Sequence, residues 1–567
     1  MNSPRIVDRE VPQETYRRLT AAGHSAVLAR VYAARGVHSP DDLDTSLGKL
    51  LPNTDLLGCR EMADILADAI VADKRLLIVA DYDADGATAC AVGVIALQSL
   101  GARVEYLVPN RFEYGYGLTP EIVRLAAVRN PDFLITVDNG IASVDGVAEA
   151  ARLGMQVLIT DHHLPGPELP AAACIVNPNQ AGCEFASKHL AGVGVMFYVV
   201  AALRTELRAR GHFKAQPEPN LGELLDLVAL GTVADVVRLD RNNRILVEKG
   251  LARIRAARAR PGIAALFRVA GRDAARASTY DLGFVLGPRL NAAGRLTDMS
   301  LGIECLLSRS AERADDLAAQ LDTLNKERRE IESGMQDSAL ASLNAMQGND
   351  NWSLCLFDAS WHQGVIGILA ARLRERFHRP AIAFAPSDRD EAKGSGRSIR
   401  GLHLRDALDR VAKLNPGLIL KYGGHAAAAG LTIRQSDIAA FTAAFEKAVR
   451  SLIGPAELEQ VIETDGPLAE ADLTLPLAES LASQVWGQGF AEPLFHGEYD
   501  VVEQRIVGGR HLKLRLRARS DGNVFDAILF GQSAPLPETL LAVFRLQVNE
   551  FRGNRSLQLV VDHWRPV

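Results

Sequence analysis

The chain has 567 residues, of which 48% are hydrophobic and 23% charged, and its formal net charge is −6. At about 100–200 residues per domain this length predicts three or four domains, and the composition excludes a disordered or fibrous chain. We find no signal peptide and no apolar run long enough to cross a bilayer, so we expect a cytoplasmic protein. The six cysteines lack C-x-x-C spacing, which argues against a zinc ribbon and a disulfide framework.

Residues 1–70 combine helical patterns with turn signals and are predicted to form an N-terminal extension packed on the first domain. Residues 71–308 are predicted to form the first domain. In its first part short apolar runs alternate with helical patterns. The predicted strands are Leu76–Ala80, Arg103–Val108, Phe133–Val137, Val157–Thr160 and Cys174–Val176. This alternation predicts right-handed crossovers and a mainly parallel sheet covered on both faces.

Acidic and imidazole side chains follow three of these strands. They are Asp81, Asp83 and Asp85 after the first strand, Asp138 after the third, and Asp161, His162 and His163 after the fourth. Ligands of such sheets bind beyond the carboxyl ends of the strands, so we expect these side chains to meet at one rim. Three carboxylates within five residues repel one another unless protons or cations neutralise them, which points to metal. A solvated acidic loop is the alternative for residues 81–85 alone.

A mostly helical region follows from about 185 to 305. One apolar helix ends at an isolated acid, Asp235, which would equally suit a helix cap. The segment Gly287–Arg295 is rich in glycine and arginine and is predicted to be a loop. From Ala311 to about Met346 the sequence is charged and free of proline, which predicts a long helix; residues 309–348 would connect two domains.

Residues 349–455 are predicted to form a second α/β domain that opens with the strand Leu354–Phe357. Two glycine-rich segments, Gly394–Ser398 and Gly423–Ala426, carry arginine or histidine beside the glycines. This pattern is typical of loops that bind phosphate through backbone N–H groups and a guanidinium. Turns stabilised by the same side chains are the structural alternative.

Residues 456–567 are rich in strand patterns. Leucines at 512, 514 and 516 alternate with Lys513, Arg515 and Arg517, which places three cations on one face of a strand. A small β-barrel with a cationic face is typical of single-strand-binding modules. A solvated edge strand protected by charge would give the same pattern.

Carboxylates with one imidazole favour Mn²⁺ or Mg²⁺, since zinc or copper sites would use thiolates. Two such ions about 3.5–4 Å apart catalyse phosphoester hydrolysis. The motifs D-Y-D-A-D-G at 81–86, V-D-N-G at 137–140, D-H-H at 161–163 and G-T-V-A-D at 231–235 resemble the four ordered motifs of the DHH phosphoesterase family. Residues 361–367, 394–398 and 423–426 resemble its DHH-associated domain. The segment Val485–Ala491 departs from the family pattern before the terminal barrel.

The resemblance implies an α/β multidomain protein with a parallel-sheet DHH domain, a long connecting helix, a second α/β DHH-associated domain and a C-terminal OB-type β-barrel. It implies two Mn²⁺ or Mg²⁺ ions, with Asp138 bridging them. The implied metal ligands are Asp83, Asp85, Asp138, His162 and Asp235. His163 would lie near the scissile phosphate, or alternatively orient a ligand, and Asp81 would contribute to catalysis. The implied substrate-binding residues are Arg111, Arg289, Asn291, Ser395, Arg397 and His425.

With the basic barrel, the arrangement is similar to the family members that degrade single-stranded DNA from the 5′ end in repair and recombination. This implies a monomeric exonuclease that acts on single-stranded DNA threaded between two α/β domains, with a single-strand-binding protein and a helicase as partners. Two alternatives stay open. One is a phosphoesterase for short oligonucleotides, cyclic dinucleotides or pyrophosphate, and the other is a non-catalytic single-strand-binding scaffold.

Overall fold

The computed structural model describes residues 4–114, 117–214, 217–345, 350–387, 390–519, 522–551 and 553–567. They form two compact units. Of the described residues, the larger unit contains those in the ranges 8–323 and 464–567, and the smaller contains those in the ranges 4–7 and 324–463. Helices and strands are labelled below in chain order. The first elements are β1 (Arg5–Asp8), α1 (Gln13–Ala21), α2 (Ala26–Ala33) and α3 (Cys59–Val71).

The larger unit is built on a parallel sheet of five strands in the order β3-β2-β4-β5-β6. The strands are β2 (Arg75–Ala80), β3 (Arg103–Leu107), β4 (Phe133–Val137), β5 (Gln156–Thr160) and β6 (Cys174–Val176). The helices between them are α4 (Ala84–Ser99), α5 (Arg111–Tyr114), α6 (Pro120–Ala127) and α7 (Val144–Arg152). The predicted parallel sheet is therefore confirmed. Because the chain moves outward from β2 in both directions, the topological switch point lies between β2 and β4, where ligands bind in sheets of this order.

A helical layer follows the sheet. It contains α8 (Gly192–Ala209), α9 (Leu225–Ala234), α10 (Arg241–Arg255), α11 (Pro261–Val269), a π-helix (Asp281–Leu286), α12 (Gly287–Leu296) and α13 (Ser300–Leu307). The predicted loop at Gly287–Arg295 is wrong, because this segment is helix α12. Pro288 stands in the first turn, where its missing N–H costs nothing. Gly294 is needed because a Cβ there would lie 2.0 Å from Tyr82 O.

The predicted long helix is present as α14 (Ala311–Ala345). Its end near Met346 lies outside the described residues. Residues up to Thr323 belong to the larger unit and those from Leu324 to the smaller unit. Among the described helices, none has the length and apolar character that a membrane span requires.

The smaller unit contains a mixed sheet in the order β10-β11-β9-β8-β7. The strands are β7 (Leu354–Phe357), β8 (Ala381–Pro386), β9 (Glu391–Arg397), β10 (Lys421–Gly424) and β11 (Ala428–Arg434), and the helices are α15 (Ile366–Phe377), α16 (Leu404–Leu414) and α17 (Ile438–Leu452). The core packs Phe384, Phe441 and Phe445 together with aliphatic side chains.

The first predicted phosphate loop of this unit is wrong as a loop, whereas the second begins in strand β10 and continues into the turn at His425 and Ala426. Residues 394–397 lie in the internal strand β9, and their backbone groups pair with β8 and β11. Its glycines serve packing, since a Cβ on Gly394 would lie 2.5 Å from Phe384 and one on Gly396 would lie 2.8 Å from Leu404. Gly423 and Gly424 end strand β10. Glycine therefore marks crowded strand positions at 394, 396 and 424 but not at 423.

The terminal region forms a closed five-stranded barrel in the order β13-β14-β15-β17-β16. Before it come β12 (Val461–Thr464), which pairs with β1, and α18 (Leu475–Ala482); the barrel strands are β13 (Phe495–Val507), β14 (His511–Ala518), β15 (Val524–Leu529), β16 (Thr539–Phe551) and β17 (Asn554–Pro566). The predicted barrel is confirmed. The cationic strand β14 lies between β13 and β15 and not at an edge, so the edge-strand alternative is wrong.

The alternation within β14 is as predicted. The leucines at 512, 514 and 516 are buried, whereas Arg515 and Arg517 are exposed. Arg515 lies opposite Glu503 on one neighbouring strand and Asp526 on the other. These carboxylates offset part of the positive charge on this face.

The segment Val485–Ala491 packs against the N-terminal helices of the larger unit. Trp486 and Phe490 are buried, and both rings stack on Tyr32, with centroid distances of 6.1 and 6.3 Å. The N–H of Leu239 donates to Gln488 O at 2.7 Å. Although the segment departs from the family pattern, aromatic stacking connects the barrel to the rest of this unit.

Candidate metal centre

The turn between β2 and α4 positions the first three acids. Asp83 caps α4, since its carboxylate accepts the N–H groups of Asp85 and Gly86 at 2.9 and 3.0 Å. A Cβ on Gly86 would lie 2.5 Å from Asp81 O, so only glycine fits this turn. The turn thereby directs Asp85, which is 1% exposed, into the protein interior.

The amino terminus of α8 holds the Asp85 carboxylate. The N–H groups of Gly192 and Val193 donate to its two oxygens at 2.7 and 2.9 Å, and the helix dipole favours an anion at this position. Burial and the nearby Asp83 raise the pKa of Asp85 to about 7 despite these hydrogen bonds. A carboxylate this poorly solvated gains from binding a cation.

Asp138 follows β4 in a left-handed conformation, with φ of 64°. Such a φ is uncommon for residues other than glycine and is concentrated at functional sites. The side chain is 1% exposed, and among the described residues no hydrogen bond satisfies its Oδ1. Burial, followed by the charges of Asp85 and Asp83, raises the pKa of Asp138 well above its ordinary value.

The loop after β5 is organised by Asp161. One carboxylate oxygen accepts the N–H groups of His162 and His163 at 2.7 and 3.1 Å and lies 2.8 Å from His163 Nδ1. The other oxygen accepts the N–H of Ile141 at 2.9 Å. The side-chain amides of Asn177 and Asn179, beyond β6, donate to the backbone carbonyls of the two histidines. The backbone of both histidines is therefore held from two sides, and the ring of His163 is held by Asp161 as well.

The charges of this loop stabilise one another. Burial alone would raise the pKa of Asp161, but the hydrogen bond and charge of His163 hold it below its ordinary value. Burial opposes the charged form of His163, yet Asp161 raises the pKa of that imidazole to about 9. The pair is an oriented imidazolium and carboxylate when no cation is bound.

These elements bring the predicted metal ligands together. His162 Nε2 lies 3.0 Å from an oxygen of Asp138, 3.5 Å from one of Asp235 and 4.0 Å from one of Asp85. Octahedral coordination at about 2.1 Å requires ligand atoms about 3.0 Å apart when adjacent and about 4.2 Å apart when opposite. The spacing therefore fits a hard divalent cation.

Three groups of side chains place their ligand atoms within 4.8 Å of one another. They are Asp85, His162 and Asp235; Asp138, His162 and His163; and Asp81, Asp83 and Asp138. Asp138 and His162 each belong to two of the groups, and of these two Asp138 has a pair of carboxylate oxygens with which it could bridge two ions. Asp235 stands at the C-terminus of α9, with its side chain 21% exposed. The acid at this helix end thus faces the other ligands.

Two of the residues predicted to bind substrate have internal partners. The guanidinium of Arg289 is buried and binds Asp322 at 2.8 and 2.9 Å. Asn291 Oδ1 accepts the N–H of Ala84 at 2.8 Å and so connects α12 to the turn of the first three acids. The structure therefore places both in the scaffold of the centre.

The smaller unit brings two other predicted residues together on one face of β9. Arg397 Nη1 lies 3.3 Å from Ser395 Oγ, and both face Gly367 in the first turn of α15, whose added Cβ would lie 3.0 Å from Ser395 and 3.2 Å from Arg397. Within the described part of the chain no carboxylate forms an ion pair with Arg397, and burial, followed by the charge of Arg374, lowers its pKa. His425 is exposed in the turn after β10, and the Arg111 side chain lies outside the described residues.

Sequence reasoning missed the residues that support the ligands. Gly192 has a second function besides binding Asp85, because a Cβ there would lie 2.6 Å from Asp138 Oδ1. Gly231 is equally constrained, since its Cβ would lie 2.9 Å from Asp85 Oδ1 and 2.1 Å from Thr88 Oγ1. The small residues at the start of α8 were the available signal. Asp161 was placed at the rim but given no role.

Comparison with known proteins agrees with this architecture. The model of the DHH family, N-terminal domain, matches residues 75–232, the DHHA1 domain matches residues 350–451 and the RecJ OB domain matches residues 464–563. The crystal structure of RecJ in complex with Mn²⁺ from Thermus thermophilus superimposes with a TM-score of 0.83 at 30% identity, covering 99% of this chain and 79% of that one. The Mg²⁺ complex from the same organism gives 0.77 at 28% identity, covering 99% and 78%.

The similarity also extends over the full sequence. The single-stranded-DNA-specific exonuclease RecJ of Dickeya dadantii is 51% identical over 554 residues, which cover 96% of this chain and 96% of that protein. Both the order of the domains and the residues at the sheet rim are thus accounted for by one family. On this evidence the chain belongs to the RecJ family.

Proposed function

We propose that this protein is a metal-dependent exonuclease that degrades single-stranded DNA from the 5′ end to 5′-mononucleotides, in DNA repair and recombination. The observation that carries the proposal is the group of buried carboxylates and one imidazole at the switch point of the parallel sheet, at spacings that suit divalent cations. Family membership disfavours the small-substrate phosphoesterase and the non-catalytic scaffold.

Asp83, Asp85, Asp138, His162 and Asp235 would hold two Mn²⁺ or Mg²⁺ ions, with Asp138 between them and Asp81 close enough to assist. When bound, the ions supply an activated water and stabilise the leaving oxygen of the phosphodiester. The chain's own contribution is rigidity. The N–H groups of Gly192 and Val193 fix the Asp85 carboxylate. Gly86 and Gly231 have no side chain, so Asp81 packs closely against Gly86 and Asp85 against Gly231. A site held in this way requires little reorganisation during the reaction.

His163 would contact the scissile phosphate. Asp161 engages its Nδ1, so we assign Nε2 to the phosphate oxygen. In the metal-free protein Asp161 raises the pKa of this imidazole to about 9, and a protonated imidazole donates a charge-assisted hydrogen bond to an anion. Asp161 thus acts as a positioning residue.

Arg397 and Ser395 would bind a phosphate of the strand, because the guanidinium has no acidic partner among the described residues and lies beside the first turn of a helix. His425 and Arg111 are assigned to the same task by resemblance. Arg289 and Asn291 would act indirectly, through the contacts that hold α12 in place. The exposed arginines of β14 would attract the DNA backbone at the barrel.

The domain limits at 70, 308, 348 and 455 are part of this proposal, as are a cytoplasmic location and a monomeric state. A single-strand-binding protein and a helicase are the proposed partners. Neither partner is needed for the chemistry at the metal centre.

The test is product release from single-stranded DNA labelled at the 5′ or the 3′ end, with Mn²⁺ or Mg²⁺, beside a blunt duplex and an RNA of the same sequence. We expect immediate release of 5′-labelled mononucleotide, no loss of duplex and no product after chelation. Asp138→Ala, checked for folding by circular dichroism, is the blank. Turnover by that variant, or release that begins with the 3′ label, would contradict the proposal.

A second experiment addresses the barrel. Deleting residues 460–567 would also remove Trp486 and Phe490 from their packing on Tyr32, so point variants are preferable. Arg515→Glu with Arg517→Glu should weaken binding of long single-stranded DNA and reduce its salt dependence, while cleavage of a dinucleotide stays unchanged. Equal losses on both substrates would contradict a DNA-binding role for β14.

A further inference from the structure

Two aromatic rings lie stacked on the protein surface close to the metal centre. Tyr280, which directly precedes the π-helix, and Phe284 within it are 54% and 68% exposed, and their ring centroids are 5.3 Å apart with planes inclined by 26°. Exposed apolar surface of this kind marks binding sites, and π-helical turns are frequent at functional sites. The proposed catalytic roles make no use of either ring.

Two glycines of the same helical segment pack against the end of α9, which carries Asp235. A Cβ on Gly283 would lie 3.2 Å from Val233, and one on Gly287 would lie 3.1 Å from Ala234. These two contacts are with the residues that directly precede Asp235. The helix that carries the aromatic pair therefore packs directly against the helix end that carries the metal ligand Asp235.

A third apolar side chain is exposed beside the metal centre. Val236 directly follows Asp235, is 64% exposed and has a φ of 63°. For a β-branched residue this backbone conformation is a genuine outlier, and such strain is concentrated at functional sites. The backbone thus directs the Val236 side chain toward solvent, next to the metal ligand Asp235.

The segment before the aromatic pair is rich in arginine, although Arg255, Arg268, Arg272 and Arg276 form ion pairs with acidic side chains. Between residues 253 and 276 the chain has seven arginines and a single acid, Asp273. Arg272 binds the buried Asp281 at 2.7 Å and places its guanidinium 6.0 Å from the centre of the Tyr280 ring. Arg276 forms an ion pair with Glu550 on barrel strand β16. The segment before the rings therefore contacts the barrel, and the segment after them contacts the metal centre.

Flat rings bordered by arginine suit a polyanion that has exposed bases. We propose that Tyr280 and Phe284 form a stacking platform for bases of the single-stranded DNA that passes from the barrel to the metal centre, with Val236 as its apolar neighbour at Asp235. The inference rests on the proposed function. Stacking is tolerant of sequence, since every base has a π-face, and duplex DNA has no unstacked bases to offer.

The platform binds the strand and does not take part in bond cleavage. Tyr280→Ala with Phe284→Ala should therefore raise Kd and KM for a single-stranded 20-mer about tenfold or more, with kcat within about twofold of the parent value. Tyr280→Phe with Phe284→Tyr keeps both rings and should behave like the parent. Val128→Ala, at a position that is 77% exposed on the far end of α6, is the matched control for loss of an exposed apolar side chain.

The decisive readout is sensitivity to the bases. Binding is measured by fluorescence anisotropy in EDTA, which prevents cleavage, with a 3′-labelled 20-mer and with 20-mers that carry two adjacent abasic residues at successive positions. The parent should bind more weakly when the abasic residues stand at one particular set of positions in the 20-mer. The double alanine variant should bind those 20-mers as tightly as it binds the unmodified 20-mer. A purely structural role of the rings would not abolish the response to abasic residues.

The outcomes separate this inference from the function on which it rests. A parent protein that neither binds nor degrades single-stranded DNA would overturn both. A parent that does so, with a double alanine variant of equal Kd, equal KM and the same response to abasic residues, would overturn the platform alone. A variant that loses kcat and thermal stability together would also overturn it, because the rings would then serve only the fold.

Discussion

His163 Nδ1 and Asp161 Oδ1 lie 2.8 Å apart, and the same oxygen accepts the backbone N–H groups of both histidines of the motif. This carboxylate fixes the orientation of the imidazole and its charge. Asp161→Asn keeps the size of the side chain but removes the charge, so we expect activity on single-stranded DNA to fall about 10–100-fold. Single-turnover rates in saturating Mn²⁺ measure the loss.

A double-mutant cycle shows whether Asp161 acts through His163. If it does, the variant with both Asp161→Asn and His163→Ala should be little slower than His163→Ala alone. Losses that simply multiply would show that Asp161 has an independent function.

Gly192→Ala tests the packing of the metal centre. The new Cβ would lie 2.6 Å from Asp138 Oδ1 and 2.7 Å from Asp138 Cβ, so the carboxylate must move. We expect weaker Mn²⁺ binding by calorimetry and a large loss of activity.

Gly334→Ala is the matched control, since no atom lies within 4 Å of its added Cβ and it stands in helix α14. It should leave Mn²⁺ binding unchanged and raise the free energy of unfolding by about 0.5–1 kcal/mol. Equal Mn²⁺ affinity in the two variants would refute the packing argument.

Metal binding should depend on pH. Burial and Asp83 raise the pKa of Asp85 to about 7, and the pKa values of Asp138 and Asp235 are also raised, with burial as the main cause. Mn²⁺ must displace these protons, so its affinity should fall as pH drops below about 7. Calorimetry in two buffers of different ionisation enthalpy measures the protons released. An affinity that does not change between pH 6 and 8 would contradict this expectation.

The same pKa values predict the stability of the metal-free protein. A carboxyl whose pKa is raised by folding binds more protons in the folded state than in the unfolded state, where its pKa is about 3.9. The free energy of unfolding in EDTA should therefore decrease as pH rises from about 4 to about 7, and added Mn²⁺ should raise Tm more at pH 8 than at pH 6. The Asp138→Ala variant should show a smaller response to both changes.

The ion pair between Arg35 and Asp465 tests the attachment of the barrel. Its side chains are 2% and 0% exposed and meet at 2.6 Å, and Arg35 also donates to Ala491 O at 2.6 Å. Arg35→Ala would leave a buried carboxylate unpaired and should lower the free energy of unfolding by about 3–5 kcal/mol. Urea denaturation measures the change. Arg35→Met with Asp465→Leu should be less destabilising than Arg35→Ala alone, since no charge is left unpaired.

The sequence patterns predicted the sheet and its rim well. Phe133–Val137 and Cys174–Val176 have the predicted bounds, because buried parallel strands are continuous apolar runs between polar turns. The rule that such sheets bind ligands at their carboxyl ends then brought Asp85 and Asp138 together, although they are distant in sequence.

The patterns failed where a residue's role depends on a partner elsewhere in the chain. Arg289 gives no sign in the sequence of its pairing with Asp322. The glycines of β9 resemble a phosphate loop until Phe384 and Leu404 are seen against them. The π-helix and the hydrogen bonds from the start of α8 to Asp85 likewise arise from tertiary packing.

The order in which the ligands occur along the chain has a consequence for biosynthesis. Asp81 is made first and Asp235 last, and Asp235 approaches His162 only once α9 has packed against α4 and α8. A nascent polypeptide on the ribosome therefore cannot assemble the complete centre until the helical layer has emerged and folded. A newly made molecule would remain unable to cleave nucleic acid until its larger unit had folded.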